Sequence, residues 1–235
     1  MTETSAPRTA RAIAREQLTR AILDNARTQL AKVGPAQLSL RAVARELGMS
    51  SSAVYRYFAS RDDLLTALII EAYDELGAAV EQADAAVVRR SSHAVRWEEA
   101  CHAVRNWAIA HPHDYALLYG SPVPGYAAPR DTVTPASRGI LVFVGICIDA
   151  ASAGVRPAGP QATVHRRLHD GIAGLRDITE SALDDTMMLA LLHAWSVVIG
   201  TITLELFGHL EGGVDDYDAY FARAVEQLTL HLGLR

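Results

Sequence analysis

The chain has 235 residues, of which 50% are hydrophobic and 21% are charged, as is ordinary for a soluble globular protein with a sizeable buried core. Its two cysteines, Cys101 and Cys147, exclude a disulfide framework and lack metal-ligand spacing, so we expect buried free thiols. The stretch Met1–Pro7 has no apolar segment typical of a signal peptide, and we expect a cytoplasmic protein.

The net charge of −5 is divided unevenly along the chain. Residues 1–61 carry ten Lys and Arg against four Asp and Glu, a net charge of +6. Residues 62–235 carry twelve against 23, a net charge of −11. A phosphate backbone attracts the first part and repels the second. This asymmetry favours a small basic module carried on an acidic body.

The basic part predicts three short helices followed by a long one. Apolar residues recur at helical spacing over Ile22–Val33, and Gly34 ends that helix. Two short helices follow with Gly48 as the turn between them, and a long helix begins near Arg61 and continues to about Val88. The predicted N-caps of these three helices are Ser39, Ser50 and Ser60.

Helical spacing continues through the acidic part, with no run of alternating strand residues, so the predicted fold class is all-α. An ordered loop is expected over Gly120–Pro135, which contains four prolines. The nearly apolar stretch Asp184–Leu210 has polar interruptions and no run of 18 apolar residues, so we expect a buried helix and no membrane span. The predicted helices cover about 97–110, 136–153, 163–175, 184–210 and 217–232.

The most informative residues lie between Leu38 and Leu65. Ala44, Gly48 and Val54 have the spacing of a helix-turn-helix, in which a small residue, a turn and an aliphatic residue let two helices pack. That spacing alone is common. The longer pattern is specific, and it consists of LRAVARELGMS at 40–50, AVYRYF at 53–58 and SRDDLL at 60–65. Over about Leu18–Leu68 the chain closely resembles the DNA-binding domain of the TetR family of bacterial repressors.

The resemblance implies a double-stranded DNA operator as partner, with the third helix in the major groove. Hydroxyl groups there can bond phosphates or base edges, and Arg41 can reach either. Arg61 suits a phosphate contact, and Ser39 with the free amides of its helix could hold another phosphate. The implied DNA-contacting residues are Ser39, Arg41, Ser50, Ser51, Ser52, Ala53, Tyr55, Tyr57 and Arg61. A homodimer would read a palindrome, with half-sites about 34 Å apart or a multiple of that.

The remaining chain resembles, in outline, one subset of TetR C-terminal domains, of the Trp-His-Gly type. The resemblance rests on Trp107, His111-Pro112, Tyr115, the segment 118–126, Trp195 and Gly200. It implies that the last two long helices pair with their copies in a second subunit. The dimer-interface candidates are Leu192, Ile199, Leu206, Phe221 and Leu228. The predicted domains are 1–62, which binds DNA, and 63–235, which binds a ligand and dimerises.

Large apolar groups on the central helices are the usual lining of a small-molecule site, although for each one taken singly a core position is the more common role. The candidates for an effector pocket are Trp97, Trp107, Tyr119, Phe143, Met188 and Trp195. Side chains that could orient an effector are His102, His111, His193 and Glu205. The sequence thus predicts a repressor that a small, largely apolar effector releases from DNA.

Two alternatives stay open. One is a DNA-binding regulator without an inducer, which shares every N-terminal residue with the first interpretation. The other is a helical-bundle metalloenzyme, supported only by scattered histidines and one glutamate. The residues concerned are His93, His102, His111, His113, His193 and Glu205. Because no Glu-x-x-His or His-Glu-x-x-His motif occurs, and no nucleophile arrangement or nucleotide-binding loop, we expect no metal, no cofactor and no catalysis.

Overall fold

The structure is a computed structural model that describes residues 9–158, 166–179 and 182–235. In these ranges the chain is helical and contains no strand, which confirms the all-α prediction. The ten helices are α1 (Ala10–Val33), α2 (Leu40–Glu46), α3 (Ser51–Val54), α4 (Arg61–Ala86), α5 (His93–Ala110), α6 (Pro112–Tyr119), α7 (Val133–Ser152), α8 (Arg166–Thr179), α9 (Asp185–Leu206) and α10 (Tyr217–His231).

The described residues divide into two compact units. The head unit comprises the residues up to Glu71 together with Ser121–Pro129, and the body unit comprises Ala72–Gly120 together with the residues from Arg130 onward. The head unit therefore includes the first turns of α4 and a loop that follows α6. The boundary predicted after residue 62 had assigned both of these segments to the second domain.

In the head unit, α1 carries one apolar stripe, of which Ile22, Ala26 and Leu30 are buried. Thr9 caps the start of α1, since its side chain accepts a hydrogen bond from the Ala12 amide at 3.3 Å. The stripe belongs to a small core shared with α2, α3 and the first turns of α4. The other members of that core are Leu23, Leu38, Leu40, Val43, Ala44, Val54, Phe58, Leu64, Leu65, Leu68 and Ile69.

The body unit has one continuous apolar core in which α5, α7 and α9 supply most of the large side chains. Two helical stretches, Arg130–Ser152 and Asp185–Leu206, are long and apolar enough to cross a membrane by composition. Both pack in this core, through Phe143 and Ile146 on α7 and Met187 and Ile202 on α9. They therefore serve here as the central helices of a helical bundle, as expected for the α9 region.

Among the side chains that the structure describes in the body unit, two arginines, Arg96 and Arg105, are buried, and both are paired with carboxylates. Arg105 on α5 forms a bidentate pair with Glu205 of α9, with both N–O distances 2.7 Å, and donates to Asp218 of α10 at 2.7 Å. Arg96 donates to Asp84 at 2.7 Å and to Asp149 at 2.6 Å. These pairs join helices that are distant in sequence.

The helix boundaries differ from the predicted ones at two prolines. Pro112 begins α6, a helix that the sequence analysis did not predict, because a proline at the first helical position lacks only an amide that needs no partner. Pro135 lies in the first turn of α7, which starts at Val133 rather than near Ala136. The helix predicted from Thr163 appears as α8 from Arg166, and Thr163 itself lies outside the described residues.

Candidate functional site

The turn between α2 and α3 is built around Gly48. Its φ of 65° is in the left-handed region, which glycine adopts at little cost. The Leu47 amide donates to the Val43 carbonyl at 3.1 Å, and the Met49 amide donates to the Ala44 carbonyl at 2.8 Å. These bonds close the end of α2 and set the direction of α3.

Ser50 starts α3 as an N-cap, since its hydroxyl accepts a hydrogen bond from the Ala53 amide at 3.3 Å. The helix is short, but helical turns continue beyond it, with the Tyr57 amide donating to the Val54 carbonyl at 2.9 Å. Val54 and Phe58 are buried and hold this segment against the head core. As a result, Ser52 and Tyr55 are exposed on the opposite side.

The predicted DNA-contact residues fall into two groups by exposure. Arg41, Ser50, Ser52 and Tyr55 are exposed, and the others are half-buried, namely Ser39, Ser51, Ala53, Tyr57 and Arg61. Tyr57 makes a cation–π contact with Arg15 of α1, whose guanidinium carbon is 5.4 Å from the centre of the Tyr57 ring. Arg15 thus adds a positive charge that the sequence analysis missed, since its distance in sequence from the helix-turn-helix gave no signal.

A surface hollow of about 530 Å³ lies beside these residues, and Ser39, Arg41, Tyr55 and Ser60 are among its lining residues. Ser39 is at the N-cap position of α2, yet its hydroxyl makes no capping hydrogen bond. A hydroxyl, a guanidinium and the start of a helix in one concave site form a set of donors suited to an anion.

Arg61 lines the same hollow, but much of its guanidinium is already engaged. Its Nη2 donates to the Pro35 carbonyl at 2.9 Å and to the Ala36 carbonyl at 3.2 Å. Its Nη1 is 3.6 Å from the Asp62 carboxylate. In this structure Arg61 therefore fastens the turn between α1 and α2 to the start of α4, which positions the N-terminus of α2.

In the body unit, three of the predicted pocket residues form one aromatic cluster, which we call the aromatic core. The Trp97 and Phe143 rings are 5.0 Å apart edge to face, and the Phe143 and Trp195 rings are 5.4 Å apart. Trp97 and Phe143 are fully buried, whereas Trp195 is half-buried. Met188 is buried in the same apolar core on α9.

The other two predicted pocket residues contact different rings. Trp107 stacks on His111, with ring centroids 5.5 Å apart, and Tyr119 contacts Tyr115 at 5.0 Å and Tyr73 at 6.3 Å. Burial, with a smaller contribution from the two neighbouring tyrosines, raises the pKa of Tyr119. This group of tyrosines is uncharged at neutral pH.

Both cysteines are buried free thiols, as the sequence analysis predicted. Burial raises the pKa of Cys147 to about 12 and also raises the pKa of Cys101 well above its ordinary value. Neither thiol is therefore ionised at neutral pH.

The polar groups considered as effector-orienting side chains are engaged elsewhere. Glu205 is held by Arg105, and His102 contacts the ring of Phe221 at 5.5 Å. His193 lies against His231 at 5.2 Å, across a groove between α9 and α10. Within the described ranges, no three His, Cys, Asp or Glu side chains are grouped as a metal site would need.

The predicted dimer-interface residues separate by exposure. Phe221 and Leu228 are 1% and 6% exposed and belong to the core of their own protomer. Leu192 is exposed, and Ile199 and Leu206 are half-buried. Besides Leu192, exposed apolar or aromatic side chains on or beside α9 and α10 are Leu204, Phe207, Tyr220 and Leu230.

Both the N-terminal and the C-terminal part of the chain match families of known proteins. Residues 22–68 match the family described as bacterial regulatory proteins, tetR family, and residues 97–228 match the tetracyclin repressor-like C-terminal domain. The HTH-type transcriptional regulators Mb1846 of Mycobacterium bovis and Rv1816 of Mycobacterium tuberculosis are each 42% identical over 209 residues. These alignments cover 83% of this chain and 83% of each relative.

Solved structures share this fold over more than nine-tenths of the chain. A protein described as regulatory, SCO4313, is 30% identical with a TM-score of 0.73, over 94% of this chain and 98% of its own. RolR, solved in complex with resorcinol, shares the fold at 16% identity and a TM-score of 0.51, over 92% and 89% of the two chains. The helix-turn-helix geometry, both family matches and the mycobacterial relatives together lead to one conclusion: the chain belongs to the TetR family of transcriptional regulators.

Proposed function

We propose that this protein is a cytoplasmic repressor that binds a palindromic operator as a homodimer and leaves the DNA when a small effector binds the body unit. The observation that carries the proposal is a set of exposed or half-buried polar side chains on the helix-turn-helix that have no hydrogen-bond or ion-pair partner among the described residues. Within the described residues, the side chains of Arg41, Ser51 and Tyr55 make no hydrogen bond or ion pair. Groups left unpaired on a surface are available to phosphates and base edges.

The charge of the first 61 residues, which make up most of the head unit, supports this use. Residues 1–61 carry a net charge of +6, whereas the rest of the chain is acidic. In the proposed complex, the hollow lined by Ser39 and Arg41 receives a phosphate, and the exposed side chains of Ser52 and Tyr55 meet the major groove. Arg61 contributes to DNA binding indirectly, because its hydrogen bonds hold the turn between α1 and α2 in place.

Dimerisation is supported by the outward side of α9 and α10. The α9 stretch has a mean hydropathy of 1.8, but only 44% of it is buried within the protomer. Leu192, Leu204 and Tyr220 remain 40–43% exposed there. A second copy placed on this side would bury these side chains, and a two-fold dimer would present two recognition helices to a palindrome. In this proposal, residues such as Tyr220 and Leu230 replace the buried Phe221 and Leu228 as α10 contacts.

The effector part of the proposal rests on the apolar core of the body unit. Its aromatic side chains are the usual lining of a small-molecule site. RolR, a neighbour in fold only, was solved with resorcinol, so a helical domain of this fold is able to hold a small molecule. An effector that prefers the conformation with wrongly spaced recognition helices would shift the population away from DNA.

The test of DNA binding compares two arginines on the same helix. Affinity for the DNA flanking the protein's own coding region is measured over a salt series for wild type, Arg41→Ala and Arg45→Ala. Both side chains are exposed, but Arg45 lines a different groove, between α1 and α2. We expect Arg41→Ala to weaken specific binding by about 1–3 kcal/mol and Arg45→Ala to change it by less than about 0.5 kcal/mol.

Equal losses in the two variants would show that bulk charge, rather than the proposed surface, governs binding. Undetectable or salt-insensitive binding of wild type to every fragment would overturn the DNA-binding role assigned to this segment.

The dimer is tested by the sedimentation of Leu192→Asp beside Val88→Asp. Val88 is 93% exposed and lies in the connection between α4 and α5, so it is not on either helix of the proposed interface. We expect Leu192→Asp to shift the protein toward monomer, because a carboxylate would be buried without a partner, and Val88→Asp to leave the dimer intact. A wild-type monomer at micromolar concentration would contradict the proposal.

A further inference from the structure

One buried polar atom in the aromatic core has no hydrogen-bond partner among the described residues. The indole Nε1 of Trp97 is buried, and no hydrogen-bond acceptor contacts it among the residues that the structure describes. The whole Trp97 side chain is 0% exposed, so this N–H group is shielded from bulk solvent. A buried donor without an acceptor is costly, and native structures seldom retain one without a reason.

The surroundings of Trp97 are suited to a flat apolar molecule. Phe143 packs on Trp97, and Trp195 packs on Phe143, so the aromatic core extends from a fully buried ring to a half-buried one. Met188 and Trp195 are seven residues apart on α9, two helical turns along one side.

The charges next to the aromatic core are already neutralised. Arg96, the residue before Trp97, gives its hydrogen bonds to Asp84, Asp149 and the Arg90 carbonyl. Arg96 therefore offers no free charge to a ligand carboxylate beside Trp97, and a buried carboxylate without a counter-charge is strongly unfavourable. An uncharged acceptor, such as a carbonyl or ether oxygen, would satisfy the indole N–H without that cost.

We propose that the aromatic core is the effector site and that its ligand is an uncharged aromatic molecule whose single acceptor oxygen takes a hydrogen bond from Trp97 Nε1. The ring of the ligand packs against Phe143 and Trp195. This inference rests on the proposed function for the role of the ligand, but the binding site can be tested without DNA.

Trp107 has an unpaired buried indole N–H as well, but its surroundings differ. It stacks on His111, whose side chain is exposed, rather than within a group of buried aromatic rings. This second indole therefore serves as an internal comparison for the first.

The experiment uses the full-length protein labelled with ¹⁵N, whose three tryptophans give three indole N–H signals. Trp107→Phe and Trp195→Phe each remove one signal from the spectrum, which assigns those two signals. The remaining signal in the wild-type spectrum is that of Trp97. The probes are acetophenone and ethylbenzene, which have nearly the same shape but differ in the carbonyl oxygen. We expect acetophenone to bind about three- to ten-fold more tightly and to move the Trp97 indole signal downfield.

Trp97→Phe keeps an aromatic ring but removes the donor, so we expect the preference for acetophenone to disappear in this variant. Trp107→Phe, which removes an indole outside the aromatic core, is the matched control and should retain the preference. Equal binding of the two probes to wild type, no binding of either, or a downfield shift of Trp107 instead of Trp97 would each overturn the proposal.

Operator binding is measured separately with the same probes. Acetophenone binding at Trp97 without any loss of DNA affinity would establish the site and its ligand class, while contradicting the release mechanism of the proposed function. Loss of DNA affinity together with the Trp97 shift would support both.

Discussion

Arg41 in the head unit and Arg105 in the body unit are used in opposite ways. In the head, Arg41 is exposed and has no partner among the described residues. In the body, Arg105 is 5% exposed, and its guanidinium donates three hydrogen bonds of 2.7 Å to Glu205 and Asp218. The head leaves Arg41 available on its surface, although it pairs Arg20 and Arg27 with Glu71, and the body uses Arg105 to fasten three of its own helices together.

This difference indicates where each unit can meet another molecule. A surface that binds DNA needs donors that the protein has not already satisfied, and the head has them at Arg41 and Tyr55. The body has satisfied its buried arginines, so its notable unpaired donors are neutral indole groups such as Trp97 Nε1. Each unit is thus suited to a different partner, a polyanion for the head and an uncharged small molecule for the body.

The largest expected effect comes from breaking the buried pair in the body. Arg105→Met removes the partner of Glu205, whose side chain is 10% exposed, and leaves a carboxylate buried without a counter-charge. We expect the free energy of unfolding to fall by about 3–5 kcal/mol. Urea unfolding at a fixed protein concentration measures this change.

The control for Arg105 is an arginine in an exposed pair. Arg223 contacts Glu226 with side-chain exposures of 62% and 38%, so Arg223→Met should cost less than about 1 kcal/mol. If the two substitutions destabilise the protein equally, the contrast drawn here between buried and exposed arginines is wrong.

A smaller effect is expected in the head at Gly48. A Cβ at this position would meet no atom within 4 Å, so the cost of Gly48→Ala comes only from its φ of +65°. We expect a loss of about 1–2 kcal/mol, measured by thermal unfolding, together with weaker DNA binding, because the turn orients α3.

Gly145 in the middle of α7 provides the matched control for Gly48. Its Cβ would also meet no atom within 4 Å, but its backbone is helical. Gly145→Ala should therefore stabilise the protein by about 0.5–1 kcal/mol. A stabilising effect at Gly48 as well would contradict the assignment of the turn geometry.

The helix-turn-helix was predictable because its signals are local. Ser50 as a cap and Gly48 as a turn act within a few residues, and the structure confirms both. Arg105 and Glu205 are 100 residues apart, so their pairing left no trace in any local pattern. The sequence analysis accordingly treated Glu205 as a candidate ligand contact.

Residues on amphipathic helices illustrate a second limit. Phe221 was a dimer-interface candidate, yet it lies in the protomer core, while its neighbour Tyr220 is exposed. Periodicity shows that a helix has an apolar side, but it does not show whether that side faces its own core or a second subunit. Only the packing of α10 against α5 and α9 separates these possibilities.

The smallest expected effect concerns the groove between α9 and α10, where His231 is half-buried. Burial, and then the proximity of His193, lower the pKa of His231 below its ordinary value of 6.5. The folded protein therefore binds fewer protons than the unfolded chain below about pH 6.5. Stability from this site is present above that pH and is lost as the pH falls through the lowered pKa.

His231→Gln keeps a polar side chain but cannot titrate, so we expect a shallower loss of stability between pH 7 and pH 5 than in wild type. Urea unfolding at several pH values and one protein concentration measures the slope. His209→Gln is the control, since His209 is exposed and does not line this groove. Because Arg223 also lines the groove, protonation of His231 adds a positive charge to one already present there. Identical slopes in wild type and His231→Gln would show that burial between α9 and α10 leaves the protonation of this histidine unaffected by folding.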